Sequence, residues 1–399
     1  MYQLRVHPSI AEIPGTAWDA LAGDDLPHLC HAFLLAMERH GCVGERFGWL
    51  PRHLALYDQD EQLVAAAPAY LKFNSYGEFV FDWAWADAYQ RAGLRYYPKL
   101  VIASPYTPAT GQRVLTGDAP NRAELASALV RGSVKVANEL DVSGVHWLFS
   151  SEEEVDWMRE AGLMARLGCQ FHWTNQGYAD FDALLASFSA EKRKKIKRER
   201  RRVTEAGVRI RRVPGNAASD AEWAVFHRLY EDTFDKRGGI PTLSLSFFRE
   251  IGETMGESTL LVLAEHGGEI VAAAFCLVGA RSLYGRHWGC SKEFHSLHFE
   301  ACYYQGLEHC IEQGLQRFEP GAQGEHKVAR GFMPTRTWST HWLAEPAFRE
   351  PISHFLAHEI DAVEEYIGEM AARSPYRQAD PVTSKAAERS DASSARARG

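Results

Sequence analysis

The chain has 399 residues, 46% of them hydrophobic and 24% charged, and a formal net charge of −8. That composition is ordinary for a globular protein and excludes collagen-like, disulfide-scaffolded and multi-span membrane classes. The length exceeds what one core comfortably serves, so two domains of roughly 150 to 200 residues are expected.

The opening residues, "MYQLRVHPSIAEIPG", hold no apolar run long enough for an export signal. No later run approaches the ~20 apolar residues of a membrane span, and a cytoplasmic location is the expectation. The seven cysteines are scattered, odd in number and lack any CxxC pair. They read as reduced core thiols.

In chain order, "HLALYDQDEQLVAAAPAYL" (53 to 71) reads as a β-hairpin with alternating apolar positions. An aromatic segment follows at 74 to 99, in which Asp82 and Asp87 stand among Phe79, Phe81, Trp83, Trp85 and Tyr89. As a hairpin or lid it would raise the pKa of a carboxylate, which could hold or deprotonate an amine. As an inter-domain core it would use the same Asp residues to cap turns. Strands are expected at "WLFSS" (147 to 151) and "QFHW" (170 to 173), and a junction near 177 to 182.

Beyond the junction lies "AEKRKKIKRERRRV" (190 to 203), with nine Lys or Arg between Glu191 and Arg202. Ser189 as N-cap and Gly207 as C′ residue predict a helix of about seventeen residues, with an apolar seam of Ile196 and Val203 only. Like charges at i,i+4, such as Lys197 with Arg201, repel by about 1 to 2 kcal/mol in total. Two readings stand: a solvated face relieved by salt, or a phosphate cradle in which Lys194, Lys197 and Arg201 grip a polyanion such as tRNA.

The second half begins with the strand "GVRIRRV" (207 to 213) and the hairpin "LLVLAEHGGEIVAAAFCLV" (260 to 278). The strand "SLYGRHWGC" (282 to 290) puts Tyr284 and Arg286 on one face. A helix near His298 to Gln313, the strand "LQRFEP" and a last long helix at 353 to 370 complete it. His295, His298 and Glu300 have no third ligand at a metal-binding spacing, so no metal is expected. Residues 374 to 399 have the composition of a disordered tail.

The two hairpins align without a gap at an offset of 207; "WLFSS" with "QRFEP" and "QFHW" with "STHW" align at 169. The difference of 38 residues is an insertion in the first copy that includes the aromatic segment. The expected architecture is therefore a mixed α/β layer repeated twice: residues 1–178, residues 179–373, and the tail. His172 and His341 occupy equivalent places in the echo, which argues for packing before catalysis.

This order of elements resembles the acetyltransferase (GNAT) fold in tandem, as in the Fem family of peptidyl and aminoacyl transferases. "FDWAWADAYQRAGLRYYPKL", "LYGRHWGC" and "LHFEACYYQGLEHCIEQGLQRFEPGAQGEHKVARGF" are similar to the Fem-like N-acyltransferases of bacteria. The resemblance covers about residues 1 to 372 and implies transfer of an acyl or aminoacyl group to an amine in peptidoglycan-related metabolism. It also implies a Lys beside the reacting carbonyl, a role that falls on Lys327. One departure concerns the turn that holds a CoA pyrophosphate in this fold. Here "SKEFHSLHFE" (291 to 300) contains no glycine, which favours an aminoacyl-tRNA donor over acyl-CoA.

The stretch "FEPGAQGEHKVARGF" (318 to 332) places Glu319, Gln323, Glu325, His326, Lys327 and Arg330 on a glycine-punctuated loop past a strand end. Glu319 is the candidate general base, or else the partner of Arg330 or Lys327 in an ion pair. Arg286 and Asp82 join Glu319 and Lys327 as catalytic candidates. Arg330, Gln323, Tyr284, Asp87 and Trp83, with Lys194, Lys197 and Arg201, are candidates for substrate binding. No tightly bound cofactor is required; the donor, aminoacyl-tRNA or acyl-CoA, is a co-substrate. The alternative is a non-catalytic module that binds a phosphate-bearing ligand or RNA on the same duplicated fold.

Overall fold

The computed structural model describes residues 2–322 and 324–377. Its strands are β1 (Gln3–His7), β2 (Trp49–Pro51), β3 (His53–Tyr57), β4 (Leu63–Ala67), β5 (Ala69–Lys72), β6 (Lys99–Ile102) and β7 (Gly144–Ser150). There follow β8 (Met164–Thr174), β9 (Arg209–Pro214), β10 (Thr259–His266), β11 (Glu269–Val278), β12 (Ser282–Cys290), β13 (Arg317–Glu319) and β14 (Met333–Leu343). Three of them form a small sheet, β1-β3-β4. Eleven form one large sheet in the order β2-β5-β6-β7-β14-β8-β13-β12-β11-β10-β9. Helices flank these sheets, giving the mixed α/β class expected.

Both echoing hairpins are present. β3 pairs antiparallel with β4 through Leu54↔Ala67, and β10 with β11 through Leu261↔Phe275, each with a bulge near its turn. The copies part at Pro68, which stands where the second copy has Phe275. Proline has no N–H for the ladder. The first hairpin therefore ends at Ala67 and joins the small sheet, while β5 restarts at Ala69 in the large one. β11 runs unbroken for 10 residues through the same point.

From there the copies match again. β6 is parallel to β7 (Leu100↔Val145), as β12 is to β13 (Ser282↔Arg317). This is the tandem acetyltransferase arrangement. The copies also exchange strands: β8, from the first, lies between β14 and β13 of the second, and β14 lies between β7 and β8 of the first. Sequence order alone gave no hint of this exchange.

The predicted helices are found with small changes. The cationic helix spans Ala190–Glu205, and Gly207 beyond it has a φ of 72°. The helix expected near His298 is continuous from Leu297 to Glu312, with a π-helical stretch at Glu300–Tyr304. The C-terminal helix is longer than read, Pro346–Ala372. The aromatic segment is neither hairpin nor open lid: a loop leads into the helix Trp83–Arg91, whose Trp85 and Tyr89 pack with Tyr96 against Leu343, Ile352 and Leu356. The tail does not begin at Ser374, because Pro375–Arg377 is bonded to the body of the protein. Residues 378–399 lie outside the described residues. Among the described residues no helix is long and apolar enough to cross a membrane.

Candidate functional site

Parallel pairing between β12 and β13 lasts only from Ser282 to Tyr284, while β12 continues to Cys290. On that side the edge of β12 from Gly285 onward has no strand beside it. Register also slips in β12, where Gly285 faces Cys276 and His287 faces Phe275, so Arg286 is the extra residue of a bulge. Gly285 is close-packed: a Cβ there would lie 3.2 Å from Pro320, the first residue after β13. The strands thus part at a point where a bulge and a strand end meet.

Glu319 closes β13 at this point and is 3% exposed. Its Oε2 accepts the Thr110 N–H at 3.1 Å and lies 3.7 Å from His172 Nε2. Arg317 Nε is 3.2 Å from Oε1. The alignment gives no hydrogen bond, and both Oε1 and Arg317 Nε are buried without one. The ion pair weighed for Glu319 therefore exists, with Arg317 in place of Arg330 or Lys327. Burial holds the His172 imidazole below its usual range, so it is neutral at pH 7. Tyr284 donates to Asp25 O at 3.0 Å and accepts from Arg317 at 3.2 Å. Arg286 donates to Tyr106 O, and burial brings its pKa down to about 10. Glu319, Tyr284 and Arg286 are therefore one cluster, as the sequence led one to expect.

The opposite wall comes from the first copy. Residues 105–113 cross the seam, where Thr110 and Tyr106 bond Glu319 and Arg286, and Gln170 Nε2 donates to Pro108 O at 2.9 Å. His28 is fully buried, with neither ring nitrogen bonded, and packs edge-on to Tyr284 at 5.2 Å. Sequence reading missed His28, Thr110 and Arg113, whose segments carry no motif. Arg317 was within reach, two residues before Glu319 and on the same strand face.

Lys327 lies in the turn Glu325–Arg330, 1% exposed, and donates to Gly321 O at 2.5 Å. Burial brings its pKa down to about 8. Arg330, expected to bind substrate, is committed elsewhere: its guanidinium pairs with buried Glu199 of the cationic helix at 2.9 Å and stacks on Phe299. Gln323 lies outside the described residues.

The cationic helix packs on this turn through Ile196 and Glu199, while Val203, on the same face, packs with Val208, Ala264 and Leu297. Arg200 reaches Glu300 at 3.0 Å and Glu308 at 2.7 Å. Lys194, Lys197 and Arg201 fall on the opposite face and are exposed, Lys197 meeting Asp182 at 3.0 Å and Arg201 meeting Glu205 at 3.4 Å. Expected in the cleft, they face away from it, because the spacing that buries 196, 199 and 203 turns 194, 197 and 201 outward.

Asp82 belongs to a different cluster. It accepts from Ser75 Oγ at 2.6 Å, from Tyr96 and from Lys99, which also meets Glu78 at 2.8 Å. Burial opposes its ionisation, but the Lys99 ammonium outweighs it and holds the carboxyl well below the usual range. The expected upward shift is therefore reversed, and Asp82 is no base at neutral pH. The shift upward falls on Glu78, raised by burial to about 7. Asp87 is exposed and pairs with Arg91 at 2.7 Å, and Trp83 is 43% exposed against Tyr76. Neither of them reaches Glu319.

A family model described as peptidoglycan biosynthesis/recognition matches residues 9–378. The chain belongs to the FemAB-like family. Among curated proteins no sequence matches this FemAB-like chain significantly. Several solved structures share its fold. FemX is 12% identical with a TM-score of 0.53, covering 86% of this chain and 98% of that one. L-PGS from Bacillus licheniformis is 11% identical with a TM-score of 0.52, covering 88% and 97%. The C-terminal domain of an Agrobacterium fabrum protein assigned as a lysylphosphatidylglycerol synthetase is 11% identical with a TM-score of 0.56, covering 89% and 96%. Family and neighbours agree on the fold over nearly the whole chain.

Proposed function

We propose that this FemAB-like protein is an N-acyltransferase working in the seam cleft, with an aminoacyl-tRNA as donor and an amine of a peptidoglycan precursor as acceptor. The observation that carries this reading is Glu319, a buried carboxylate at the parting of β12 and β13, with one oxygen lacking a hydrogen bond among the described residues and neutral His172 beside it. Such a group can take the proton of an attacking amine. The amine nitrogen bonds to the acyl carbon, the ester bond to the donor breaks, and the proton passes on to the leaving hydroxyl. Lys327, an ammonium below about pH 8, donates to the oxygen that becomes negative on the way.

The donor is argued from the turn at 291–296. It has no glycine, Ser296 there takes a φ of 69°, and its hydroxyl is bonded to His295 at 2.7 Å. That leaves little of the backbone cradle a CoA pyrophosphate needs. The donor's phosphates would instead meet the outer face of the cationic helix, Lys194, Lys197 and Arg201. Such a donor implies reaction in the cytoplasm.

The test offers charged tRNA and acyl-CoA, each with amine acceptors, and follows acyl transfer by mass spectrometry. Transfer that stops in Glu319→Gln supports the reading. Binding without turnover, unaffected by Lys327→Ala, would favour the non-catalytic module, and stabilisation by acetyl-CoA alone would favour a CoA donor. Donor affinity that stays flat between about 50 and 300 mM salt, with or without Ala at 194, 197 and 201, would sink the phosphate role of the helix.

A further inference from the structure

The segment after the C-terminal helix returns to the turn that carries Lys327. Beyond the C-terminal helix, Pro375–Arg377 runs against Ser187–Ser189, just before the cationic helix. The Ser189 N–H donates to Pro375 O at 2.9 Å and the Arg377 N–H to Ser187 O at 2.9 Å. Phe188 and Tyr376 form an isolated antiparallel bridge with their rings 4.9 Å apart. The hydroxyl of the half-buried Tyr376 donates to Gly331 O at 2.8 Å.

Gly331 ends the Lys327 turn with a φ of 95°, and a Cβ there would lie 2.7 Å from Phe188 and 2.8 Å from the Tyr376 hydroxyl. At the other end Glu325 accepts from Tyr366 at 3.1 Å and pairs with Arg373 at 3.3 Å. Next to Gly331, Arg330 is anchored on Glu199. These ties matter because among the described residues no carboxylate pairs with Lys327, whose hydrogen bond goes to a carbonyl. An ammonium buried that way favours opening of the turn to water.

We propose that Pro375–Arg377 is a strap and Tyr376 a positioning residue, which together hold the 325–331 turn closed over Lys327. Release of the strap hydrates the lysine and moves it from the cleft. The consequence for turnover rests on the function proposed above; the holding itself does not. The groups facing Lys327 are Cys302 on the Leu297–Glu312 helix, His172 on β8, and His298 and His326.

The test labels the full chain with an amine-acylating reagent across a pH series and reads Lys327 by mass spectrometry, alongside amide exchange of 325–331. The native protein should give a labelling midpoint near 8. In Tyr376→Ala the midpoint should rise by more than one pH unit toward the ordinary ~10.4, with exchange faster by roughly tenfold. Tyr376→Phe, which keeps the ring and loses the bond to Gly331, should fall between. Arg377→Ala, which loses the Arg377 bond to Phe188 O, serves if Tyr376→Ala does not fold. A chain ended after Arg377 should match the native one. Unchanged midpoint and exchange in both substitutions would overturn the strap, as would a shift that appears only when residues after 377 are removed. Labelling needs no acyl donor, so a strap that holds in a protein without turnover counts against the proposed function alone.

Discussion

Asp82 and Glu319 are both buried carboxylates next to cations, one in each copy, and their surroundings differ in one respect. Every oxygen of Asp82 is filled, by Ser75, Tyr96 and Lys99. Glu319 has Arg317 Nε 3.2 Å from Oε1 but no hydrogen bond to that oxygen among the described residues, an imidazole 3.7 Å from Oε2 and an ammonium in the next turn. Asp82, filled and held ionised by Lys99, has no oxygen free for a reactant and no proton to exchange near neutrality; its bonds fasten the aromatic insertion to β6. Burial of charge alone does not mark a site; an unmet hydrogen bond beside an open strand edge is what sets Glu319 apart from Asp82.

The comparison is sharpened most by Glu319→Gln, which should cut acyl transfer by about 10²- to 10⁴-fold in a folded protein. Single-turnover assays would check this, and retained activity would make Glu319 as structural as Asp82. Lys99→Ala, by contrast, should act on folding, costing about 3–5 kcal/mol in a denaturant titration because two buried carboxylates lose their counter-charge. The opposite sign is expected at Lys327. Its pKa is lowered on folding to about 8, so its penalty is complete below that pH, shrinks as pH rises, and vanishes near 10.4. Lys327→Met should therefore stabilise the protein at pH 7 by something on the order of 3 kcal/mol, and by little above pH 10. The smallest effect is expected from Trp83→Ala with Asp87→Asn, within about 0.5 kcal/mol in thermal melts and with transfer unchanged. A clear loss of activity there would bring the insertion back into the reaction.

Local pattern made the two hairpins, the repeated order of strands and helices, the cationic helix and the Glu319–Lys327 loop legible in the sequence. The exchange of β8 and β14 was not, because a strand's period says which face is buried and nothing about its neighbours. The cationic helix shows the same limit. Its apolar seam was read from Ile196 and Val203, but Glu199 shares their face and is buried with them. An acid set among cations at that spacing was the available sign that Arg330 would be drawn inward. The site's other wall, from His28 to Arg113, comes from segments whose approach to Glu319 is fixed only by the folded sheet.

The strand exchange has a consequence for any attempt to divide this molecule. A break after Tyr178 would leave one fragment whose β7 and β8 have lost the strand between them. The other would hold β14 with nothing on either side and β13 open along one edge. Each piece would present bare backbone edges that seek a mate. Co-production of the pieces is therefore the route to a soluble split protein, with recovery of β14 between β7 and β8 as the step that joins them.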